Sequence, residues 1–357
     1  MLACWLASAG APAHAQALEA HRFEVPPPGA LTWGVSGTDD LDALIAAQSF
    51  EVAAAFVFNP ATAGFFRYIP GAPPQVSTLT SAFLTPGTVV ILRRGGAARA
   101  SPFEYAQVIS YYGHPDVPAM GVLGSYSTAL EAAAAVERTA SMYDAINGDR
   151  VTVAAFHIVA AVAQRAPGAD GTYLGRLTLD RVREYVEVAR DRGMLVFLDV
   201  QVGWAEPVDE ARRLAPLLAE PFVHLALDPE YATRPDGVAP GSAVGTLDAD
   251  QVNAVQDWLA RLVREHDLPT KILVVHQFRE DMLDRPDRFA QVDEVELLID
   301  MDGFGPRFGK LSKYERFALA DYAERAGLKL FLDWDVELLE PRDIQALDPP
   351  PDLVIYQ

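Results

Sequence analysis

From about residue 117 onward, short apolar runs alternate with longer stretches in which apolar positions recur at helical spacing. The runs are Ala119–Leu123, Val151–Phe156, Leu195–Leu198, Val223–Leu227, Ile272–Val275, Val295–Ile299, Lys329–Leu332 and Leu353–Ile355. Their brevity and β-branched content fit buried strands. Helices are predicted between most of them, at Thr128–Ile146, Thr178–Arg192, Asp209–Ala219, Asp248–Glu265 and Ser312–Ala326. Asp248 and Asp250 stand where an N-cap and first turn favour acids, and Gly193 and Gly327 where a helix would stop. Eight strands, most followed by a helix, over roughly 250 residues predict an α/β chain folded as a (β/α)8 TIM-type barrel. A doubly wound open sheet is the alternative. It would more naturally carry a glycine-rich phosphate turn after its first strand, and Gly121-Val-Leu-Gly124-Ser is not that turn.

Upstream the pattern changes. Leu31–Val35, Val52–Phe58, Gly64–Ile69 and Thr88–Leu92 read as strands, with a helix from Thr38-Asp39-Asp40 to about Gln48, giving a small α+β module over 24–94. The run Phe65-Phe66-Arg67-Tyr68-Ile69-Pro70-Gly71 resembles small modules appended to secreted bacterial proteins. Phe65, Phe66 and Tyr68 could stack on sugar rings, but their strand spacing favours core packing. The polar, glycine-rich stretch around Arg94-Gly95-Gly96 opens a linker over 95–110, leaving 111–357 for the barrel.

Residues 1–17 contain no Lys, Arg, Asp or Glu and include Ala13-His14-Ala15, the small-residue pattern of an export signal, truncated in that it lacks a basic leading region. An extracytoplasmic protein is expected, with lipidation at Cys4 the minority version. No later stretch reaches the roughly 20 uncharged apolar residues that span a bilayer.

Charge narrows the function. The chain has 357 residues, 29 Lys+Arg and 49 Asp+Glu, for a net charge of -20. Such acidity argues against nucleic acid as a partner. A single cysteine excludes a disulfide framework and a cysteine-based zinc site. Residues 1–100 hold six acids and five bases, so nearly the whole excess belongs to the barrel segment.

Within that segment, polar residues follow the apolar runs. The third run leads to Asp199 and Gln201, and the fourth to Asp228-Pro229-Glu230-Tyr231. The fifth leads to His276-Gln277, the sixth to Asp300 and Asp302, and the seventh to Asp333-Trp334-Asp335. The second reaches His157 and the eighth closes on Tyr356-Gln357. Alternation along a strand puts Asp199/Gln201, Asp300/Asp302 and Asp333/Asp335 each on one face. One such end could be a turn-forming or capping Asp. Their recurrence, at the barrel end where active sites form, points to a functional mouth.

Crowded carboxylates beside aromatics suggest carbohydrate chemistry. Glycoside hydrolysis needs one protonated and one ionised carboxyl, and mutual repulsion among Asp228, Glu230, Asp300 and Asp302 would keep one protonated. Trp204, Tyr231, Phe304 and Trp334 lie just past strand ends, where rings could stack on sugars. The layout is similar to exported glycoside-hydrolase-like (β/α)8 barrels, which implies Glu230 as acid/base and Asp333 or Asp335 as nucleophile. It departs from them in lacking Asn-Glu-Pro at the fourth strand and in offering Asp rather than Glu at the seventh. Gly113-His-Pro115, Pro118–Gly124, Leu198–Gly203, Leu225–Glu230 and Val274–Phe278 resemble an uncharacterised family of secreted or lipid-anchored actinobacterial proteins, which implies no activity.

The site residues expected are therefore Glu230, Asp228, Asp333, Asp335 and Asp300 for catalysis. Asp199, Gln201, His276, Gln277, Asp302, Trp204, Tyr231, Trp334, Tyr356 and His157 are expected to bind substrate. No cofactor or metal is expected. Two rivals remain: a barrel that only binds glycan, and a divalent-metal hydrolase or isomerase using Asp199, Asp228, His276, Asp300 and Asp333. His114 and His157 could form an acid/base pair, but no basic phosphate cluster accompanies them. His21, His224 and His266 read as incidental. No nucleophile elbow, P-loop or zinc-protease signature is present. Residues 171–173 and 234–245 read as loops over the mouth, the latter as a lid.

Overall fold

The computed structural model describes residues 23, 31–61, 64–72, 74, 76–94, 101–104, 106–148 and 150–357. The expected export signal at 1–17, with Cys4, and linker residues 95–100 and 105 lie outside them. The described residues form two compact units, one within 23–70 and 77–94 and the other within 71–76 and 101–357.

The first unit holds a four-stranded antiparallel sheet of Leu31–Val35, Val89–Arg94, Val52–Asn59 and Gly64–Tyr68, in that spatial order. Its α-helix Leu41–Ala46 is capped by the Asp40 carboxylate, which accepts from the Asp42 and Ala43 amides. Phe66 and Tyr68 pack against the buried cluster of this unit, whereas Phe65 points outward, 43% exposed. Only two of the three aromatics are therefore core.

The second unit is a closed parallel barrel. Its strands are β1 (Ala106–Gly113), β2 (Val151–Ala163), β3 (Leu195–Val200), β4 (Val223–Leu227), β5 (Lys271–Gln277), β6 (Val295–Met301), β7 (Arg325–Leu330) and β8 (Leu353–Tyr356). Each pairs in parallel with the next, and β8 with β1 closes the ring. The strands are buried on both faces, which explains why most read as short, nearly continuous apolar runs. The helices are α1 (Ala129–Asp144), α2 (Leu179–Arg192), α3 (Pro207–Arg213), α4 (Ala215–Leu218), α5 (Ala249–His266), α6 (Arg307–Lys313) and α7 (Pro341–Gln345). Asp248 caps α5 through a reciprocal box with Gln251, and Gly193 ends α2 in the left-handed conformation. No helix among the described residues is long and apolar enough to cross a membrane.

Several expectations are corrected. The first strand is Ala106–Gly113, inside the stretch expected to be linker, and Ala119–Leu123 instead lies in two short 3-10 turns above it. The true strand is polar in sequence because Ser110 and Tyr112 find hydrogen-bond partners on other strands and Gln107 donates to the Pro351 carbonyl just before β8. Those turns fold back closely: a Cβ on Gly121, at φ 125°, would come 2.5 Å from the Tyr112 carbonyl oxygen. Strand seven starts four residues earlier than expected, and Gly327 lies within it rather than ending a helix. A Cβ at Gly327 would meet the Asp300 Oδ1 at 2.9 Å, so the glycine makes room for that carboxylate. The helix expected at Ser312–Ala326 is accordingly displaced to α6 and a π-turn, Tyr314–Ala318. The one expected at Asp209–Ala219 is broken into α3 and α4 at Leu214.

Candidate active site

Alternation along the strands decides which side chains enter the barrel. At the C-terminal end, Tyr112 of β1, His157 of β2, Asp199 of β3, His276 of β5, Asp300 of β6 and Lys329 of β7 form one buried polar cluster. The Tyr112 hydroxyl donates to Asp199 Oδ2 at 2.7 Å. His276 Nδ1 lies 2.8 Å from Asp300 Oδ2, and its Nε2 lies 3.8 Å from Asp199 Oδ2. Lys329 sits with its ammonium 3.2 Å from the Asp302 carboxylate and 3.6 Å above the Tyr112 ring.

Above this floor opens a pocket of about 510 Å³. Asp228, Glu230 and Asp302 bring carboxyls to it, Lys329 and Lys313 ammonium groups, and Gln201 and Gln357 amides. Tyr231, Phe278, Phe304, Phe331 and Trp334 supply an aromatic wall, with Ala119 and Met120 of the refolded β1 loop on another side. Phe331 and Trp334 are stacked at 5.7 Å, and Phe304 meets Trp334 edge-on at 5.5 Å. Trp334 and Phe304 are each more than half exposed, which leaves part of their ring surface open to a ligand.

Burial and crowding set the protonation states. Burial, then the charges of Asp199 and Glu230, push the Asp228 carboxyl well above the usual carboxylate range. Glu230, half-buried, is raised by burial and by Asp302, with Lys329 and His276 opposing. Asp300 is raised mainly by burial, against the pull of its His276 hydrogen bond. Burial lowers the affinity of His276 for a second proton, but the Asp300 hydrogen bond and the Asp199 charge outweigh it and lift the imidazole to about 9. Burial likewise disfavours the Lys329 ammonium, and Asp302, Asp300, Asp228 and Asp199 together more than reverse that, raising it. His157 is held neutral by burial, then by repulsion from His276 and Lys329.

Of the residues expected from sequence, Asp228, Glu230, Asp302, Gln201, Tyr231 and Trp334 line the pocket. Asp199, His276, Asp300 and His157 lie beneath it. The others go elsewhere. Asp335 accepts from the Phe331 and Gly305 amides and pairs with buried Lys310 at 2.9 Å, which occupies its carboxylate in holding the loop after β7. Asp333 is exposed and outside the pocket, because β7 ends at Leu330 and the chain has already turned. Gln277 faces the outer layer, accepting from Tyr322, and Tyr356 does the same, hydrogen-bonded to Tyr143 on α1. Both neighbour an inward residue, so strand alternation sends them out. Trp204 donates to the Val238 carbonyl and packs on Tyr173, tying together the loops 171–173 and 234–245. Neither loop lines the pocket. His114 accepts from the Asp116 amide in a turn, apart from His157.

Sequence reasoning missed Lys329, Lys313, Tyr112, Phe278 and Phe331. The signal for Lys329 was present: a lysine flanked by Leu328 and Leu330 in a strand with both faces covered must point into the barrel and find carboxylates there.

No family model matches the chain, and no curated protein sequence does. Solved structures do. The structure of a hyperthermophilic endo-β-1,4-glucanase in complex with substrate is similar at 13% identity and a TM-score of 0.27, over 57% of this chain and 62% of that one. An alkaline cellulase K catalytic domain is similar at 11% identity and a TM-score of 0.32, over 71% and 58%. The chain thus spans about three fifths of the length of each. Likeness this distant says nothing of chemistry, which rests here on the pocket's own residues.

Proposed function

We propose that the protein is a glycoside hydrolase acting on a polysaccharide, with Glu230 as general acid and Asp302 as the second carboxyl group. The observation that carries this reading is that Glu230 and Asp302 share one pocket with an exposed aromatic wall. Glu230 holds its proton more firmly than an ordinary glutamate, as a general acid must. Asp302 is held by the Lys329 ammonium. In the reaction, Glu230 protonates the glycosidic oxygen as the bond to the anomeric carbon breaks. Asp302 either attacks that carbon or takes a proton from the water that does, according to the separation of the two carboxyls in the complex. Phe304 and Trp334 offer apolar ring faces to the sugar, and Gln201 and Gln357 offer amides to its hydroxyls. This assignment replaces Asp333 and Asp335 with Asp302 as the second carboxylate.

The test is release of reducing ends from a panel of polysaccharides by the wild type, Glu230→Gln and Asp302→Asn. Both variants are expected to lose turnover, with the stability of Glu230→Gln within about 1 kcal/mol of wild type, as for a polar residue at a pocket wall. Full activity in Glu230→Gln would overturn the acid assignment. Retention on immobilised glycan without any release of reducing ends would replace hydrolysis by binding.

A further inference from the structure

We propose that His157, Asp199 and His276 form a binding site for one first-row transition dication, with Zn²⁺ as the representative ion, in the barrel interior beneath the pocket. The three residues come from β2, β3 and β5, and all three are fully buried. One potential ligand atom from each lies within 4.8 Å of the others. An ion with bonds of about 2.0–2.2 Å spaces tetrahedral ligands about 3.4 Å apart, so small side-chain rotations close the set.

Three further observations point to a ligand. Among the described residues, neither ring nitrogen of His157, nor Nε2 of His276, nor Oδ1 of Asp199 has a hydrogen-bond partner. Buried polar atoms almost always have one, and unpartnered atoms on three neighbouring buried side chains are not ordinary core packing. Second, the outer partners are already in position. Asp300 holds His276 through Nδ1, which aims Nε2 inward, and Tyr112 holds Asp199 through Oδ2, leaving Oδ1 free. A carboxylate behind a metal-bound imidazole is the usual way such ligands are oriented. Third, further acidic groups stand next to the set: the Asp300 and Asp302 carboxyls lie 2.8 and 3.7 Å from His276 Nδ1. Two imidazoles and a carboxylate suit zinc, iron, cobalt or nickel rather than magnesium or calcium.

A second grouping, His276 with Asp300 and Asp302, is less suitable. It offers a single imidazole, whose Nδ1 is already hydrogen-bonded to Asp300, and its Asp302 is paired with the Lys329 ammonium. The proposed set also differs from the sequence-based alternative, since it uses His157 and does without Asp228, Asp300 and Asp333 as ligands. On binding, the ion takes the place of any proton on His276 Nε2, and that proton is released to solvent.

The experiment strips the full chain with EDTA, removes the chelator, and titrates with Zn²⁺ by calorimetry and with Co²⁺ by visible absorption. One equivalent of each is expected, with cobalt d–d bands and a higher melting temperature. His157→Gln and Asp199→Asn should lose stoichiometric binding. Asp300→Asn should weaken it about 10–100-fold, as for loss of an orienting partner. His266→Gln, at an exposed helix end, should leave it intact. No stoichiometric binding by folded wild type, or one-equivalent binding that survives both His157→Gln and Asp199→Asn, would overturn the site. If either variant fails to fold, the cobalt spectrum of the wild type decides, because bands lacking imidazole coordination are equally fatal. None of these readouts depends on glycan turnover.

Discussion

Two lysines, one near each end of the same barrel, are almost wholly enclosed and behave in opposite ways. Lys271 begins β5, and its ammonium donates to the carbonyls of Glu220 and Val223 at 2.6 and 2.8 Å. Burial pushes it down to about 7, with the Glu220 charge a partial counterweight. Lys329, at the other end of β7, faces the carboxylates of Asp302, Asp300, Asp228 and Asp199 and is raised instead. Carbonyl dipoles satisfy the hydrogen bonds of an ammonium without supplying the charge that offsets its desolvation. Lys310 falls between them: it has one carboxylate, Asp335, and one carbonyl, that of Lys329, and burial still lowers it. The closed end of the barrel thus tolerates a cation, while the open end requires one.

Substitutions at these positions can break or sharpen that contrast. The largest loss is expected for Lys329→Met, which leaves Asp302 buried beside other acids without its partner. Urea denaturation at pH 7 should show destabilisation of about 3–5 kcal/mol, and a loss under about 1 kcal/mol would mean the cluster does not depend on this cation. Asp335→Asn should cost about 3 kcal/mol by stranding Lys310. Asp333→Asn, two residues away and exposed, should stay within about 0.5 kcal/mol. Equal effects would put Asp333 back into consideration as a buried or functional group.

Lys271→Met should act in the opposite direction. The difference between an ordinary lysine and one near 7 corresponds to roughly 5 kcal/mol of burial cost while both states are protonated. Two carbonyls left without donors return about 1 kcal/mol each, so a gain of about 3 kcal/mol is expected at pH 6. Between about pH 7 and pH 10 the unfolded chain binds the extra proton, so the wild type gains stability as pH rises. The advantage of the variant should therefore shrink over that window and vanish or reverse by pH 10. A constant difference between pH 6 and pH 10 would contradict it. The smallest effect on folding is expected for Trp334→Ala, an exposed ring whose loss should raise KM for a glycan while the melting temperature stays nearly unchanged.

The barrel was legible in the sequence because seven of its strands carry apolar runs that needed no partner residue to be recognised. Val223–Leu227 matches its strand residue for residue. β1 was hidden because its Gln, Ser and Tyr are satisfied only by residues more than eighty positions away, which no local window contains. The same limit applies at β7. Reading Gly327 as a helix stop moved the strand by four residues, and that shift advanced the expected mouth residues to Asp333 and Asp335. The observed strand carries Lys329 inward instead. Asp300 and Asp302, at and just past the end of β6, needed only alternation to be placed on one face. Asp335 was misjudged because its partner Lys310 lies on a different helix.

Tyr112 touches both levels of the mouth, since its ring lines the pocket and its hydroxyl is tied to Asp199 below. Its burial and the neighbouring acids hold it as a neutral phenol. It therefore works as an insulating partition, with Lys329 against its face and the histidines behind it. Whatever enters the pocket meets an electric field already established by groups it never touches. Those groups need not rearrange when it arrives.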